Sequence, residues 1–157
     1  MESIDKRIKA LGIQLPPVFR FPSKTRTGCV ESRGILYLSG HGNGLPDWPD
    51  IAHRGKVGGD VSEATAYATA RVVALLMLSS IVEKYGTLDR VRRVIRLLGM
   101  VNSAPDFLDH PKVINGYSEL FAQVFGEDNG VGARSAVGLG PLPGNIAVEI
   151  EVIFELN

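Results

Sequence analysis

Residues 133–156 read ARSAVGLGPLPGNIAVEIEVIFEL, and this stretch decides the expected fold. Large apolar residues recur at every second position from Ile146 to Leu156, which is typical of a β-strand with one buried face. Another strand-like segment, Ala133 to Gly140, precedes it, and Pro141 to Gly144 separates the two. Two such segments flanking a short link rich in proline and glycine predict an antiparallel hairpin.

The alternation assigns the side chains of this hairpin to two faces of a sheet. Glu149 and Glu151 lie opposite the apolar residues of the last strand, and Arg134 and Ala136 are expected on the same outer face. A hairpin centred on residues 142–143 places Ala136 opposite Glu149. The same register places Arg134 opposite Glu151. The residues expected on the inner face are Ile146, Val148, Ile150, Val152 and Phe154, with Val137 and Leu139 of the preceding strand.

Two interpretations of Arg134 follow from this register. A solvated cross-strand ion pair would contribute about 0.2–1 kcal/mol. Alternatively, the small residues beside Arg134 leave space for a ligand or another subunit. The outer face also carries Ile153, and two helices on the opposite face cannot cover it, so part of this face is expected to need a partner.

The rest of the chain predicts one α/β (α+β) domain over residues 1–157, a mixed sheet with two helices on one face. Asp60 and Glu63 form a capping-box signal for a helix that ends near Tyr85, with an inner stripe at Ala64, Ala68, Val72, Leu75, Leu76, Ser79 and Val82. A second helix is expected over about 112–125. Strands are expected at 29–31, 35–39 and 91–101, and an N-terminal helical extension at about 1–17.

Composition excludes several classes of protein. The chain has 157 residues, about one domain, with 17 basic and 17 acidic residues, so it has no net charge to attract nucleic acid. The longest apolar run, Val72 to Leu78, is far below the ~20 residues of a membrane span. Cys29 is the single cysteine, and the acidic start at residues 1–5 has no apolar signal core, so a cytoplasmic protein is expected.

Residues 40–53 are expected to form a loop that begins at Gly40 and passes through Trp48 to His53. Its His41 is interpreted either as an acid or base near neutral pH or as a loop histidine held by backbone hydrogen bonds. Surface positions are expected for His53 and His110. The glycines of this loop are not followed by a helix start, so no phosphate site is predicted, and no spacing indicates a metal site.

A basic cluster, Arg90, Arg92, Arg93 and Arg96, is the feature that would support nucleic-acid binding. Strand parity divides these side chains between two faces, and no aromatic residues stand among them to stack on bases. This pattern therefore argues against nucleic acid as a partner.

Several stretches together resemble the Rid/YjgF family, whose members are also labelled endoribonuclease L-PSP-like. The resemblance spans roughly Gly34 to Glu155, in the order of the elements above. The stretches that carry it are Tyr37–Gly40, Gly58–Asp60, Val113–Tyr117 leading to Phe121, Gly132–Val137, Leu142–Pro143 and Val148–Glu151.

The resemblance implies a chorismate-mutase-like fold and a homotrimer with active clefts between subunits. It also implies hydrolysis of reactive enamines and imines, such as 2-aminoacrylate, to a keto acid and ammonia, with no metal or organic cofactor. Arg134 would bind the substrate carboxylate with help from the backbone at Gly40 and Ala136. Asn115 and Glu149 would line the cleft.

The residues implied by the resemblance fit this chemistry, with departures that bear on the substrate. Arg134 can grip a carboxylate bidentately, Glu149 can orient a water and move its proton, and Asn115 can bind the nitrogen or the water. Glu151 is expected to aim Arg134. Ala136 and His41 stand where the family often has cysteine and glutamine, and no tyrosine precedes the first strand. A non-catalytic carboxylate-binding protein and, less favoured, an endoribonuclease are therefore the alternatives.

Overall fold

The computed structural model describes residues 3–18, 24–42 and 54–157, which form one five-stranded sheet and four helices. The helices are α1 (Ile4–Ala10), α2 (Glu63–Tyr85), α3 (His110–Phe125) and the short α4 (Glu127–Gly130). The strands are β1 (Cys29–Ser32), β2 (Ile35–Gly42), β3 (Val91–Asn102), β4 (Ala133–Leu139) and β5 (Val148–Leu156).

The sheet has the order β1-β2-β5-β3-β4, so the predicted hairpin between β4 and β5 is wrong. β3 lies between them, parallel to β4 and antiparallel to β5. The link over residues 140–147 crosses the end of β3, where the Asn102 N–H donates to the Ala147 carbonyl at 2.9 Å. The Asn102 side chain also donates to Asn145 Oδ1 and the Ile146 carbonyl. A link of this length spans two strand spacings, roughly 10 Å, as easily as it closes a hairpin.

The helices α2 and α3 pack against each other and cover one face of the sheet, which confirms the expected fold class. The inward side of α3 is as predicted, with Tyr117 and Phe121 stacked at 4.2 Å and Phe121 also stacked on Phe154 of β5. The N-terminal extension contains α1. Its Asp5 accepts hydrogen bonds from Thr87 and Leu88, and Ile8 is buried in the core.

The helix α2 differs from expectation at its start and around its circumference. Ser62, not Asp60, is the N-cap, and its Oγ accepts the Thr65 N–H at 3.1 Å. Asp60 instead accepts the Lys56 N–H. The predicted inner stripe is right only in part: Val72, Leu76 and Ser79 are buried, but Ala64 is exposed and α2 is buried on most sides. The buried residues are Ala66, Thr69, Ala70, Val72, Val73, Ala74, Leu76, Met77, Leu78, Ser79, Ser80 and Ile81.

By length and composition alone, α2 also qualifies as a helix able to cross a membrane. Its most apolar 18-residue window has a mean hydropathy of 1.6, and 67% of that window is buried inside the fold. The apolar surface of α2 is therefore largely used by the protein's own core.

The face of the sheet opposite the helices carries several exposed apolar residues beside charged ones; we call it the open face. Val30 is 52% exposed, Tyr37 46%, Val137 39% and Leu139 42%. Strand pairing places Ile153 beside Tyr37 on the same face. An exposed apolar surface of this kind is typical of a protein–protein contact.

Candidate functional site

Arg134 lies on the edge strand β4, with its side chain directed toward α3. Its Nη1 donates to Asn115 Oδ1 at 2.8 Å and to Ser118 Oγ at 3.2 Å. The residue is exposed, and no carboxylate in the described part of the chain forms a salt bridge with it. One nitrogen of the guanidinium is thus fixed by α3, while the opposite edge remains available to a ligand.

The two faces of β4 are the reverse of the prediction. Arg134 pairs with the buried Leu97 of β3, so it and Ala136 belong to the helix side of the sheet. Val137 and Leu139, expected inside, are on the open face and exposed. The register of β4 with β3 determines which side chains of β4 face the helices. The register of the predicted hairpin with β5 would have placed the same side chains on the opposite faces.

Glu149 lies on the open face of β5, directly against Gly40 of β2. A Cβ atom at residue 40 would be 3.0 Å from Cδ of Glu149 and closer still to its Oε1, so only glycine leaves room for this carboxylate. Burial raises the pKa of Glu149, the nearby charge of Glu151 raises it further, and the guanidinium of Arg26 lowers it. A half-buried carboxyl with a raised pKa is suited to proton transfer near neutral pH.

Arg26 is a residue of this region that the sequence did not single out. The segment before β1 runs beside β2, because Ser39 Oγ donates to the Thr27 carbonyl at 2.6 Å and the Ser39 N–H donates to the Gly28 carbonyl at 3.0 Å. This pairing brings Arg26 close enough to Glu149 to lower its pKa. The sequence carries no signal for the contact, since the two residues are far apart in the chain.

Arg134 and Glu149 do not meet within one chain. They belong to opposite faces of the sheet, and β3 lies between their strands. Glu151 is exposed on the open face, so its predicted contact with Arg134 is also absent from the single chain. The structure therefore gives two separate clusters, which we call candidate half-sites: Arg134 with Asn115 and Ser118, and Glu149 with Gly40 and Arg26.

His41 belongs to neither half-site. β2 continues through Gly42, so the loop expected from Gly40 begins later, and residues 43–53, with Trp48 and His53, lie outside the described residues. The His41 ring is 2% exposed, with Nδ1 2.6 Å from the Ser39 carbonyl and Nε2 2.9 Å from Ser80 Oγ of α2. Burial lowers its pKa, which favours a neutral ring in the core.

His110, which was expected at the surface, forms a polar pair with Ser103 over the same strand as Arg134. His110 is half-buried at the start of α3, and its Nε2 is 3.1 Å from Ser103 Oγ. Both side chains lie over Gly138, on the same side of β4 as Arg134.

Two arginines of the basic cluster pair with acidic residues of the chain. Arg90 lies 3.6 Å from Glu31 and Arg92 lies 3.0 Å from Glu155, which reduces the net positive charge offered to phosphates. Arg93 donates a hydrogen bond to the Asp128 carbonyl and keeps its charge. Within residues 3–18, 24–42 and 54–157, no group of three or more His, Cys, Asp or Glu residues is placed to hold a metal ion.

Comparison with known proteins gives matches over almost the whole chain. The family model described as "YjgF/chorismate_mutase-like, putative endoribonuclease" matches residues 6–147. "Protein TCP17" of Trypanosoma cruzi is 38% identical over 152 residues, which cover 96% of this chain and 92% of that protein.

Two solved structures are also similar. Protein Atu1372 of Agrobacterium tumefaciens, described as of unknown function, is 39% identical, with a TM-score of 0.85 over 98% of this chain and 92% of its own. A "putative endoribonuclease" from Shewanella oneidensis is 24% identical, with a TM-score of 0.88 over 99% of this chain and 100% of its own, a likeness of fold.

Proposed function

Since this chain belongs to the YjgF/chorismate-mutase-like family, we propose that it hydrolyses reactive 2-enamine and 2-imine acids of the 2-aminoacrylate type to a keto acid and ammonia. The observation that carries the proposal is the exposed guanidinium of Arg134, which Asn115 and Ser118 hold in place. A fixed guanidinium orients a carboxylate as well as attracting it.

The chemistry is a hydrolysis and needs no change of oxidation state. An enamine first takes a proton on carbon to give the imine. Water then adds to the C=N carbon, with its proton passing to Glu149, and the C–N bond of the resulting carbinolamine breaks as the nitrogen is protonated. Keto acid and ammonia leave, and Glu149 returns to its starting state. Its raised pKa supports this role, because a carboxylate of very low pKa is a poor base.

We propose that the cleft forms between identical subunits, most simply in a homotrimer. Arg134 of one copy and Glu149 of a neighbour would then face each other, which one chain alone does not achieve. The exposed apolar residues of the open face support an interface of this kind. Asn115 acts in this scheme by orienting Arg134, since its Oδ1 accepts the guanidinium N–H.

A non-catalytic carboxylate-binding protein is the second candidate. The Arg134 half-site is complete within one chain, whereas the proton-transfer group lies elsewhere, so binding would survive even if turnover were lost. The ion pairs of Arg90 and Arg92 give RNA cleavage less support, and a labelled single-stranded RNA is expected to stay intact with the protein.

A coupled assay separates the two candidates. 2-Aminoacrylate or 2-iminobutyrate is generated enzymatically, and keto acid formation is compared with the spontaneous rate. Calorimetry with 2-oxobutyrate measures binding in parallel. Arg134→Ala is expected to weaken binding by about 1.5–3 kcal/mol, roughly ten- to a hundredfold. Glu149→Gln is expected to keep affinity and lose turnover.

Each outcome of this assay has a distinct meaning. Binding that depends on Arg134 without any acceleration would favour the non-catalytic protein. Equal affinities of wild type and Arg134→Ala would show that Arg134 does not bind the carboxylate. Normal turnover of Glu149→Gln would show that Glu149 is not the general base.

Sedimentation at micromolar concentration tests the shared cleft. Tyr37→Glu, on the open face, is expected to dissociate the oligomer. Leu108→Glu is the matched control, because Leu108 is apolar and 79% exposed in the loop before α3. A clean wild-type species of 16.9 kDa would refute the shared cleft.

A further inference from the structure

The Ser103–His110 pair is built into the fold rather than placed at random on the surface. Besides the 3.1 Å contact between His110 Nε2 and Ser103 Oγ, the imidazole packs edge-on against Phe107, with ring centroids 5.5 Å apart at 80°. The ring and the hydroxyl are both half-buried. Their positions are therefore fixed by neighbours on two sides.

Gly138 is the reason that the pair can rest on β4. A Cβ atom at this position would lie 2.5 Å from Ser103 Oγ and closer still to His110 Nε2. Arg134, Ala136 and Gly138 alternate along one side of the strand, and we call them the β4 strip. The strip runs from a guanidinium, past a methyl group, to an imidazole–hydroxyl pair.

The dimensions of the β4 strip suit an extended small molecule. Two residues of a strand span roughly 6.6 Å, the separation expected between Ala136 and Gly138. A carboxylate held by Arg134 near Ala136 thus places the far end of a chain of about five carbons beside the Ser103–His110 pair, which itself occupies the space over Gly138.

Ser103 keeps hydrogen-bonding capacity for such a ligand. A hydroxyl has one donor and two acceptor positions, and the contact with His110 uses one of them. If the imidazole donates, the hydroxyl hydrogen remains free to donate to an acceptor on the ligand. An apolar ligand end at this position would leave that donor unpaired, which costs affinity.

We propose that Ser103 and His110 form the distal end of the substrate site and bind a hydrogen-bond acceptor at the end of the substrate's side chain. The preferred substrates are then 2-imino acids of about five carbons with a terminal carboxylate or amide, rather than three- or four-carbon ones. This inference rests on the proposed function, because it takes Arg134 as the anchor of the first carboxylate.

Stable keto acids test the proposal without the chemical step. Calorimetry compares 2-oxoglutarate with 2-oxohexanoate, which are close in length but differ in their ends. Wild type is expected to bind 2-oxoglutarate about tenfold more tightly, the value of one hydrogen bond. His110→Phe keeps the contact with Phe107 but removes the polar nitrogens, so the ratio of the two affinities is expected to fall close to one. Ser103→Ala is expected to lower it as well, and His110→Gln to retain part of it.

Lys112→Ala is the matched control for charge. Lys112 lies on the first turn of α3 and pairs with Asp109 at 2.9 Å, so its loss removes a positive charge from the same helix end without touching the β4 strip. The ratio of the affinities for 2-oxoglutarate and 2-oxohexanoate is expected to be unchanged in this variant. Equal affinities of wild type for the two keto acids, or a ratio lost in Lys112→Ala but kept in His110→Phe, would overturn the proposal.

A different measurement, the binding of 2-oxobutyrate, tests the proposed function itself. If binding of 2-oxobutyrate does not depend on Arg134, the anchor is wrong. If that dependence holds and the ratio is absent, only the distal site is wrong. Circular dichroism and thermal melting verify that each variant is folded.

Discussion

Gly40→Ala adds a single methyl group next to the carboxylate of Glu149. The new Cβ would lie 3.0 Å from Cδ of Glu149 and nearer to Oε1, whereas a relaxed carbon–oxygen contact is well above 3 Å. The carboxylate ends a flexible side chain that is half exposed, so it can rotate away while the strands stay in place. The expected result is a folded protein whose Glu149 is displaced by about 1 Å.

A displacement of this size has a large expected effect on turnover. Misplacing a catalytic group by about 1 Å costs up to roughly a hundredfold in rate. We therefore expect kcat for 2-iminobutyrate hydrolysis to fall by about one to two orders of magnitude. Steady-state kinetics in the coupled assay measures kcat and KM, and thermal melting shows whether the fold is intact.

Two controls identify the cause of any loss. Gly140→Ala adds the same methyl group where no heavy atom lies within 4 Å, so activity is expected to be unchanged. In a Glu149→Gln background, Gly40→Ala is expected to lower kcat by less than about threefold further, since both changes act on one group. A folded Gly40→Ala protein with normal kcat would refute the role given to the position of Glu149.

Three further results are expected. Arg26→Gln raises the pKa of Glu149, because the guanidinium of Arg26 favours the charged carboxylate. The acid limb of the kcat/KM profile should then move to higher pH in Arg26→Gln and stay in place in Arg26→Lys; an unmoved limb in Arg26→Gln would contradict this. Burial lowers the pKa of His41 below 6.5, so the unfolded state binds the proton more readily and stability falls as pH drops below 6.5. The melting temperature should therefore depend less on pH between 7 and 5 in His41→Asn than in wild type, and equal slopes for the two proteins would count against this. Gly116→Ala places a Cβ 3.0 Å from the backbone carbonyl carbon of Tyr67 and closer to its oxygen, which forces α2 and α3 apart. Chemical denaturation should show that the free energy of unfolding falls by about 1–3 kcal/mol or more, and an unchanged midpoint would refute the close packing of the helices.

Local patterns determined most of the elements. The alternation in β5 correctly placed Val148, Ile150, Val152 and Phe154 in the core, because a strand buried on one face repeats every two residues. The inward residues of α3 were predicted for the equivalent reason at helical spacing. The stripe on α2 was predicted only in part, because a helix buried on most sides has no polar face to mark its orientation.

Several residues of the candidate site were named from the sequence, and their part in catalysis stays a prediction. Arg134, Asn115, Gly40, Ala136, Glu149 and Glu151 were all singled out through motifs or a resemblance that runs along the chain. The contributions of Arg26, Ser118 and the Ser103–His110 pair were not, since each depends on a contact with another element of the fold that no local pattern reports.

What the sequence by itself determined is therefore the set of strands, the two main helices, the single layer of helices and the family. Only the tertiary structure decided which strands are neighbours. An eight-residue link rich in proline and glycine permits either a hairpin or a crossing over β3, and the choice depends on β3 having unsatisfied backbone groups on both edges. That choice turned Arg134 toward α3 and away from Glu149, because the register through Leu97 of β3 aligns Arg134 with Val152 instead of Glu151, and a shift of one residue moves a side chain to the other face.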